Sequence, residues 1–332
     1  IVIGEKCFSF LCDFLIKNKP SKVFIIVDNN TKKYCLPILL RNIPILLNSK
    51  IIFSKIGEDA KSLNSFEDTC LQLTNNYIDR KSLIINLGGG VICDLGGFVS
   101  FVLKRGVKFI NMPTTLMSQV DAAIGGKVGL NLSNYKNQIG TFYNPISVLI
   151  YSPYLSSLPK NELLSAQAEI FKYALIYDKN FWSDLCATGS LEKSNYDNII
   201  AKCVSIKIHI ISSDYYDWSE RRKLNFGHSI AHAIESLFIK KQHPIAHGYA
   251  LAVGLICETY ISYIKYGFSK KNLNSVVNNI LAIFPAIHID HKQYDLLIHY
   301  MKLDKKNAHG SLNFTLIKDI GHALVNCPVS QK

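Results

Sequence analysis

The sequence holds no Cys-x-x-Cys pair, no internal repeat and no low-complexity tract, and no apolar run near the ~20 residues that a membrane-spanning helix needs. Each absence removes a class of protein. The nine cysteines, at positions 7, 12, 35, 70, 93, 186, 203, 257 and 327, are odd in number and scattered. That argues against a disulfide framework or a cysteine zinc site, and for reduced thiols in a cytoplasm. The opening IVIGEKCFSF has neither a basic start nor a long apolar stretch, so it does not read as a signal peptide, and it lacks an initiator methionine. Charged residues are only 19% of the chain and hydrophobic ones 48%, which suits a soluble protein with a sizeable core and no membrane partner. A length of 332 residues favours two domains over one. The net charge of +12 invites a nucleic-acid partner. The lysines are dispersed, however, and Lys, Asn and Ile are abundant throughout, so the excess reads as compositional bias with no nucleic-acid partner. A basic protein would still attract an anionic small molecule.

What is present divides near residues 150–160, around SPYLSSLP. Before it, β-rich segments KVFIIVD (22–28), SLIINLGG (82–89), KFINMP (108–113) and VLIY (148–151) alternate with helical patterns such as SFEDTCLQLTNNYID (65–79). Strand, helix, strand in this rhythm predicts a Rossmann-like, mostly parallel sheet that binds ligands at the carboxyl ends of its strands. After it the periods are helical, in SLPKNELLSAQAEIFKYALI, NIIAKCVSIKIHIISSD, GHSIAHAIESLF and GYALAVGLICETYISYIKYG. The expected organisation is an α/β N-terminal domain over 1–155 and an all-α, or mostly helical, C-terminal domain over 156–332.

Three constellations carry chemistry. Gly88, Gly89 and Gly90 end an apolar strand and precede a predicted helix, Asp94 to Leu103. Glycine admits close backbone approach, and free N–H groups at a helix start favour an anion such as a dinucleotide pyrophosphate. The spacing matches neither G-x-G-x-x-G nor G-x-x-x-x-G-K-[ST], so a merely tight turn is the competing reading. Next, MPTTLMSQVDAAIGGKVGLN sets Thr114 and Thr115 after a strand, and Asp121 and Lys127 around a glycine pair, with Lys136 and Asn137 following. Such a loop suits a polar, anionic small molecule; the competing reading is an exposed loop with a surface ion pair. Third, His228, His232, His243 and His247 cluster, and Glu169 and Lys172 share a helical face. Two imidazoles and a carboxylate with an open position make a catalytic metal arrangement. Residue spacing leaves two ligand sets open, Glu169 with His228 and His232, or Glu169 with His228 and His247.

Seven blocks fall in order between residues 88 and 321: GGGVICDLGGF, KRGVKFINMPTTLMSQVDAAIGGKVGLN, KNQIGTFYNP, AEIFKYALI, RRKLNFGHSIAHAIE, HGYALAVG and DKKNAHGSLNFTLIKDIG. Through them the chain resembles the 3-dehydroquinate synthase family of sugar phosphate cyclases. The resemblance implies conversion of 3-deoxy-D-arabino-heptulosonate 7-phosphate to 3-dehydroquinate and phosphate in the shikimate pathway. The implied course is transient oxidation by bound NAD⁺, phosphate elimination, re-reduction, ring opening and intramolecular aldol closure. It implies Glu169, His228 and His247 as ligands of one divalent metal, zinc or cobalt, with His232 beside them. Asp121, Lys127, Lys172, Lys207, Arg221, Asn225 and Lys305 are the implied substrate residues. Glu58, Lys61, Gly89, Gly90, Val91, Asp94, Thr114, Thr115, Lys127, Lys136, Asn137 and Ser157 are the implied dinucleotide contacts. A cytoplasmic homodimer is expected.

The chain departs from the pattern in places. Ile56-Gly57-Glu58 stands where Asp-Gly-Glu is usual, Ser157 where threonine is, Ser219-Glu220 where a glycine and an apolar residue are, and Tyr249 where a glutamate is. Arg221 or Arg222, and Lys305 or Lys306, could make the substrate contacts. The rival readings are another sugar phosphate cyclase, or a metal- and NAD-dependent alcohol or glycerol dehydrogenase of the same architecture. The latter has no need of the cations Lys127, Lys172, Lys207 and Arg221.

Overall fold

Mostly apolar runs such as VFIIV and LIINLG, whose one polar side chain, Asn86, is buried against Asn111, suit a parallel sheet covered on both sides. In the computed structural model, which describes residues 1–133, 135–189, 195–302 and 312–330, they lie in the first of two units, Ile1–Pro159 and Lys160–Lys332. The strands of the first unit are β1 (Val2–Ile3), β2 (Val23–Val27), β3 (Lys50–Phe53), β4 (Leu83–Gly88), β5 (Lys108–Pro113), β6 (Lys127–Leu132), β7 (Tyr135–Phe142) and β8 (Ser147–Ile150). Six of them form a parallel sheet in the order β1-β8-β5-β4-β2-β3, while β6 and β7 make a separate antiparallel pair.

The helices of this unit are α1 (Lys6–Asn18), α2 (Asn29–Tyr34), α3 (Leu36–Asn42), α4 (Leu63–Asn75) and α5 (Gly90–Val102). Alternation along β2 sorts them into two layers. Ile25 and Val27 pack with Leu11 and Leu15 of α1 and Leu36 and Leu39 of α3. Phe24 and Ile26 pack with Leu73 of α4 and Leu95 and Val99 of α5. Burying each such side chain contributes about 1.5–3 kcal/mol.

The glycine-rich stretch answers to two demands. Gly89 is the N-cap of α5, which begins one residue after β4 closes. Further along α5, a Cβ on Gly96 would lie 1.9 Å from Asn86 Oδ1, and one on Gly97 2.5 Å from Val128 Cγ1. The second glycine pair is therefore required by packing of the helix on β4 and β6, whatever ligand the first turn holds.

The second unit contains α6 (Lys160–Tyr177), α7 (Lys179–Thr188), α8 (Tyr196–Ser213), α9 (His228–Lys240), α10 (His247–Tyr266), α11 (Lys270–Leu281) and α12 (Tyr294–Lys302). It ends in an antiparallel hairpin, β9 (Leu312–Asp319) with β10 (His322–Val329). The hairpin is an addition to the helical expectation. Its turn uses Gly321 at φ +87°, and Leu312, Phe314 and Leu316 form a core cluster with Cys327. Among the described residues no helix is long and apolar enough to cross a membrane.

In α6 every residue from Ser165 to Ile176 is buried, the mark of a helix enclosed by its neighbours. The start of α10 presses on it: a Cβ at Gly248 would lie 1.8 Å from the Ser165 carbonyl oxygen, and Gly248 N–H donates to Ser165 Oγ at 2.9 Å. A carbonyl cannot yield as a flexible side chain can. Gly248→Ala is expected to cost about 1–3 kcal/mol, typical of overpacking. The check is the denaturant midpoint, which should fall at unchanged m-value.

Candidate functional site

Two charged groups inside an enclosed helix need partners. Glu169 and Lys172 have side chains only 2% exposed, and Lys172 Nζ stands 2.5 Å from Glu169 Oε2. The other carboxylate oxygen, Oε1, lies 3.3 Å from His228 Nε2 and 3.3 Å from His247 Nε2. His228 is the first residue of α9 and His247 the first of α10. One ligand atom from each of the three lies within 4.8 Å of the others.

The donor set fits a divalent metal. Around a tetrahedral ion with bonds of about 2.0–2.1 Å, ligand atoms stand roughly 3.3–3.4 Å apart, the spacing Oε1 keeps to both imidazoles. The far ring nitrogens are also engaged: His228 Nδ1 lies 3.2 Å from the Phe226 carbonyl oxygen, and His247 Nδ1 lies 3.3 Å from Glu235 Oε2. An acceptor at Nδ1 holds a proton there, which leaves Nε2 as the atom that can turn a lone pair toward a metal once any proton on it is lost.

The charges settle unequally in this cluster. Burial pushes Glu169 up, but Lys172 and the two histidines outweigh it and hold the carboxyl well below its usual range. Burial pulls His228 down to about 4, against the attraction of Glu169. Burial also disfavours a charged His247, but hydrogen bonds to Glu169 and Glu235 push it up to about 10.

His232 lies on the exposed side, its ring 5.4 Å from that of His228 and 6.4 Å from that of His247. His243 is exposed ahead of α10. The other expected substrate residues of this unit also sit on defined elements. Lys207 is buried in α8. Arg221 and Asn225 lie on a 3₁₀ segment, Glu220–Asn225. The approach to that segment is folded by Asp214, whose carboxylate accepts the amides of Trp218 (3.1 Å), Ser219 (2.7 Å) and Arg221 (3.0 Å). Arg221 is 2% exposed, and its Nη1 donates to the Tyr215 carbonyl at 2.5 Å. Arg222 instead donates from Nη1 to Asn326 Oδ1 at 2.7 Å, committing it to the hairpin. Lys305 and Lys306 lie outside the described residues.

In the first unit several of the expected dinucleotide contacts are joined by hydrogen bonds. Lys61 Nζ donates to Asp94 Oδ2 at 2.7 Å and to Asn137 Oδ1 at 2.5 Å. Burial would lower the Lys61 pKa, but Asp94 and Glu58 raise it. Asn131 joins the set, donating to Glu58 Oε1 at 2.8 Å and accepting the Asn137 amide at 2.9 Å. Thr114 N–H donates to the Gly88 carbonyl at 3.0 Å, and the Thr115 methyl would meet a Cβ on Gly89 at 3.0 Å. Gly90 and Val91 open α5. Asp121 lies on a π-helical turn, Ser118–Ala122, and Lys127 begins β6 on an exposed side. Lys136 is exposed on β7, and Ser157 Oγ is turned back to the Tyr154 carbonyl at 3.1 Å.

Sequence reasoning missed Glu235, Asn131 and Ser165. Glu235 had a signal, since His228, His232 and Glu235 are spaced i, i+4, i+7 along one helical face.

The chain matches the models of the 3-dehydroquinate synthase N-terminal domain over residues 51–165 and C-terminal domain over residues 166–307. It is 39% identical over 334 residues to the 3-dehydroquinate synthase of Parabacteroides distasonis, covering 100% of this chain and 94% of that protein. It is 39% identical to that of Buchnera aphidicola subsp. Cinara cedri, covering 97% and 89%. Among solved structures it resembles a 2-deoxy-scyllo-inosose synthase in complex with carbaglucose-6-phosphate, NAD⁺ and Co²⁺, with TM-score 0.85, 23% identity and coverage of 99% and 92%. It also resembles a butanol dehydrogenase from Thermotoga maritima, with TM-score 0.66, 12% identity and coverage of 91% and 88%. The fold is thus one that sugar phosphate cyclases and dehydrogenases share, with the stronger likeness on the cyclase side. Within that class the chain belongs to the 3-dehydroquinate synthase family.

Two outcomes follow from the histidine geometry. His247→Ala is expected to lose bound metal as fully as His228→Ala, and His243→Ala to keep it, measured as metal content after gel filtration. Loss in His243→Ala with retention in His247→Ala would move the ligand set. The second concerns protons. The pKa of His247 is raised from 6.5 to about 10, so its stabilising contribution is complete below about pH 6.5 and disappears as pH rises through about 10. A metal ligand must be deprotonated, so zinc uptake near pH 7.5 should release about one proton. Calorimetry in buffers of different ionisation enthalpy reads this directly, and an enthalpy independent of buffer contradicts it.

Proposed function

We propose that this chain converts 3-deoxy-D-arabino-heptulosonate 7-phosphate to 3-dehydroquinate and phosphate, using NAD⁺ and one divalent metal, zinc or cobalt. The observation that carries the reading is the placement of one carboxylate oxygen of Glu169 3.3 Å from the Nε2 atoms of His228 and His247, in a chain of this family. Residues 1–155 form the dinucleotide-binding domain and residues 156–332 the metal- and substrate-binding domain.

Glu169, His228 and His247 would hold the metal, whose chemistry there would be Lewis-acid polarisation of a substrate hydroxyl oxygen and orientation of the ring. NAD⁺, when bound, would supply reversible hydride transfer, which leaves the overall reaction with no net redox change. The chain's own groups do the remaining work. Lys172 neutralises Oε2 of Glu169. Glu235 and the Phe226 carbonyl keep the imidazoles facing inward. Lys127, Lys172, Lys207, Arg221 and Lys305, with Asp121, Asn225 and His232, bind the carboxylate, hydroxyls and phosphate. Multiple cations both hold the phosphate and stabilise charge that develops as it leaves. Lys61 and Asp94, joined at 2.7 Å, are dinucleotide contacts together with Glu58, Gly89, Gly90, Val91, Thr114, Thr115, Lys127, Lys136, Asn137 and Ser157. The enzyme works as a cytoplasmic homodimer.

The test is to incubate the purified protein with the heptulosonate phosphate, NAD⁺ and zinc or cobalt. Equal amounts of phosphate and dehydroquinate are expected. Phosphate without dehydroquinate would assign another cyclase activity, and net NADH with a simple alcohol would assign a dehydrogenase. Lys207→Ala should impair turnover while leaving NAD⁺ binding nearly unchanged.

A further inference from the structure

A glycine precedes His228, and it lies in a slot on α10. Gly227 adopts φ +83°, and a Cβ there would meet side-chain carbons of Leu251 and Leu255 at 2.9 Å. A Cβ on Gly254 would in turn lie 2.0 Å from the Gly227 carbonyl oxygen. At the end of the slot Glu258, 0% exposed, accepts the Gly227 N–H on Oε2 at 2.6 Å. Leu251, Gly254, Leu255 and Glu258 are spaced i, i+3, i+4 and i+7 on one face of α10. Four residues before Leu251 the helix begins with His247.

The gripped N–H belongs to the same peptide unit as the Phe226 carbonyl, and that carbonyl faces His228 Nδ1 at 3.2 Å. A peptide unit is planar and trans, so fixing the direction of its N–H fixes that of its carbonyl. Helix packing alone would be served by the leucines and the glycine. A buried carboxylate is costly to place, and here it lies at the start of α9, where the helix dipole favours an anion.

We propose that Glu258 is a positioning residue for the metal centre: it orients the Phe226–Gly227 peptide, whose carbonyl sets the tautomer and angle of His228. This rests on the metal-site reading above. Glu258 touches neither metal nor substrate, and acts through one peptide unit on one imidazole.

The experiment titrates Co²⁺ into the metal-stripped full chain, following the cobalt absorption bands and, separately, the melting temperature of the metal-free protein. Glu258→Ala is expected to weaken Co²⁺ binding about 10–100-fold, as loss of an outer partner does. Glu258→Gln, which keeps an acceptor oxygen, should stay within about threefold of the parent. Val276→Ala, a buried substitution in α11, controls for general destabilisation and should leave Co²⁺ affinity nearly unchanged. Equal affinity in Glu258→Ala and Val276→Ala, with the parent binding cobalt, overturns the proposal and leaves the metal reading standing. A parent that binds no cobalt overturns both. Should Glu258→Ala not fold, Glu258→Asp draws the carboxylate back by one methylene. It must then weaken binding, and unchanged affinity there overturns the proposal.

Discussion

A single buried carboxylate oxygen organises the second unit. Glu169 is enclosed in α6, where an ionised group survives only with compensation. Lys172, one turn along, supplies part of it at Oε2, and the two imidazoles converge on Oε1. Because His228 and His247 each begin a helix, their positions depend on how α9 and α10 start. Two backbone contacts govern those starts. Gly248 lies against Ser165, four residues before Glu169 on α6, and Gly254 lies against Gly227, immediately before His228. A methyl group at either glycine would separate ligands that must meet within a few ångströms. Function here is a consequence of helix packing before it is a consequence of ligand identity.

The first unit shows the same economy of backbone. The turn between β4 and α5 is short enough for Gly89 to cap the helix directly, and the loop after β5 supplies Thr114 and Thr115 beside it. Lys61, Asp94 and Asn137 come from three separate segments and meet through hydrogen bonds of 2.7 and 2.5 Å. A lysine that is buried yet kept charged by Asp94 and Glu58 is held in one place by those partners.

Much of this was legible in the sequence, because burial leaves a pattern. The parallel sheet is legible in the rhythm in which KVFIIVD and SLIINLGG alternate with helical patterns, and the long helices in their period. The hairpin β9–β10 was passed over in a half that otherwise reads as helical. The choice between His232 and His247 was illegible from spacing. An i, i+4 pair is compact on a helix, but α10 delivers a residue 78 positions from Glu169 to the same point, and only the fold supplies that. Glu258 was hidden for the same reason, since its partner is a backbone amide 31 residues away. The glycine stretch carried two meanings in one string. Gly89 and Gly90 serve the turn, whereas Gly96 and Gly97 serve contacts with Asn86 and Val128.

The central claim is that Glu169, His228 and His247 hold one divalent metal. The most direct measurement is an anomalous difference map, recorded at the zinc edge from crystals grown with zinc. The account predicts one strong peak about 2.0–2.2 Å from His228 Nε2, His247 Nε2 and a carboxylate oxygen of Glu169. A peak centred instead on His232 or His243, or no peak beside Glu169, would contradict it.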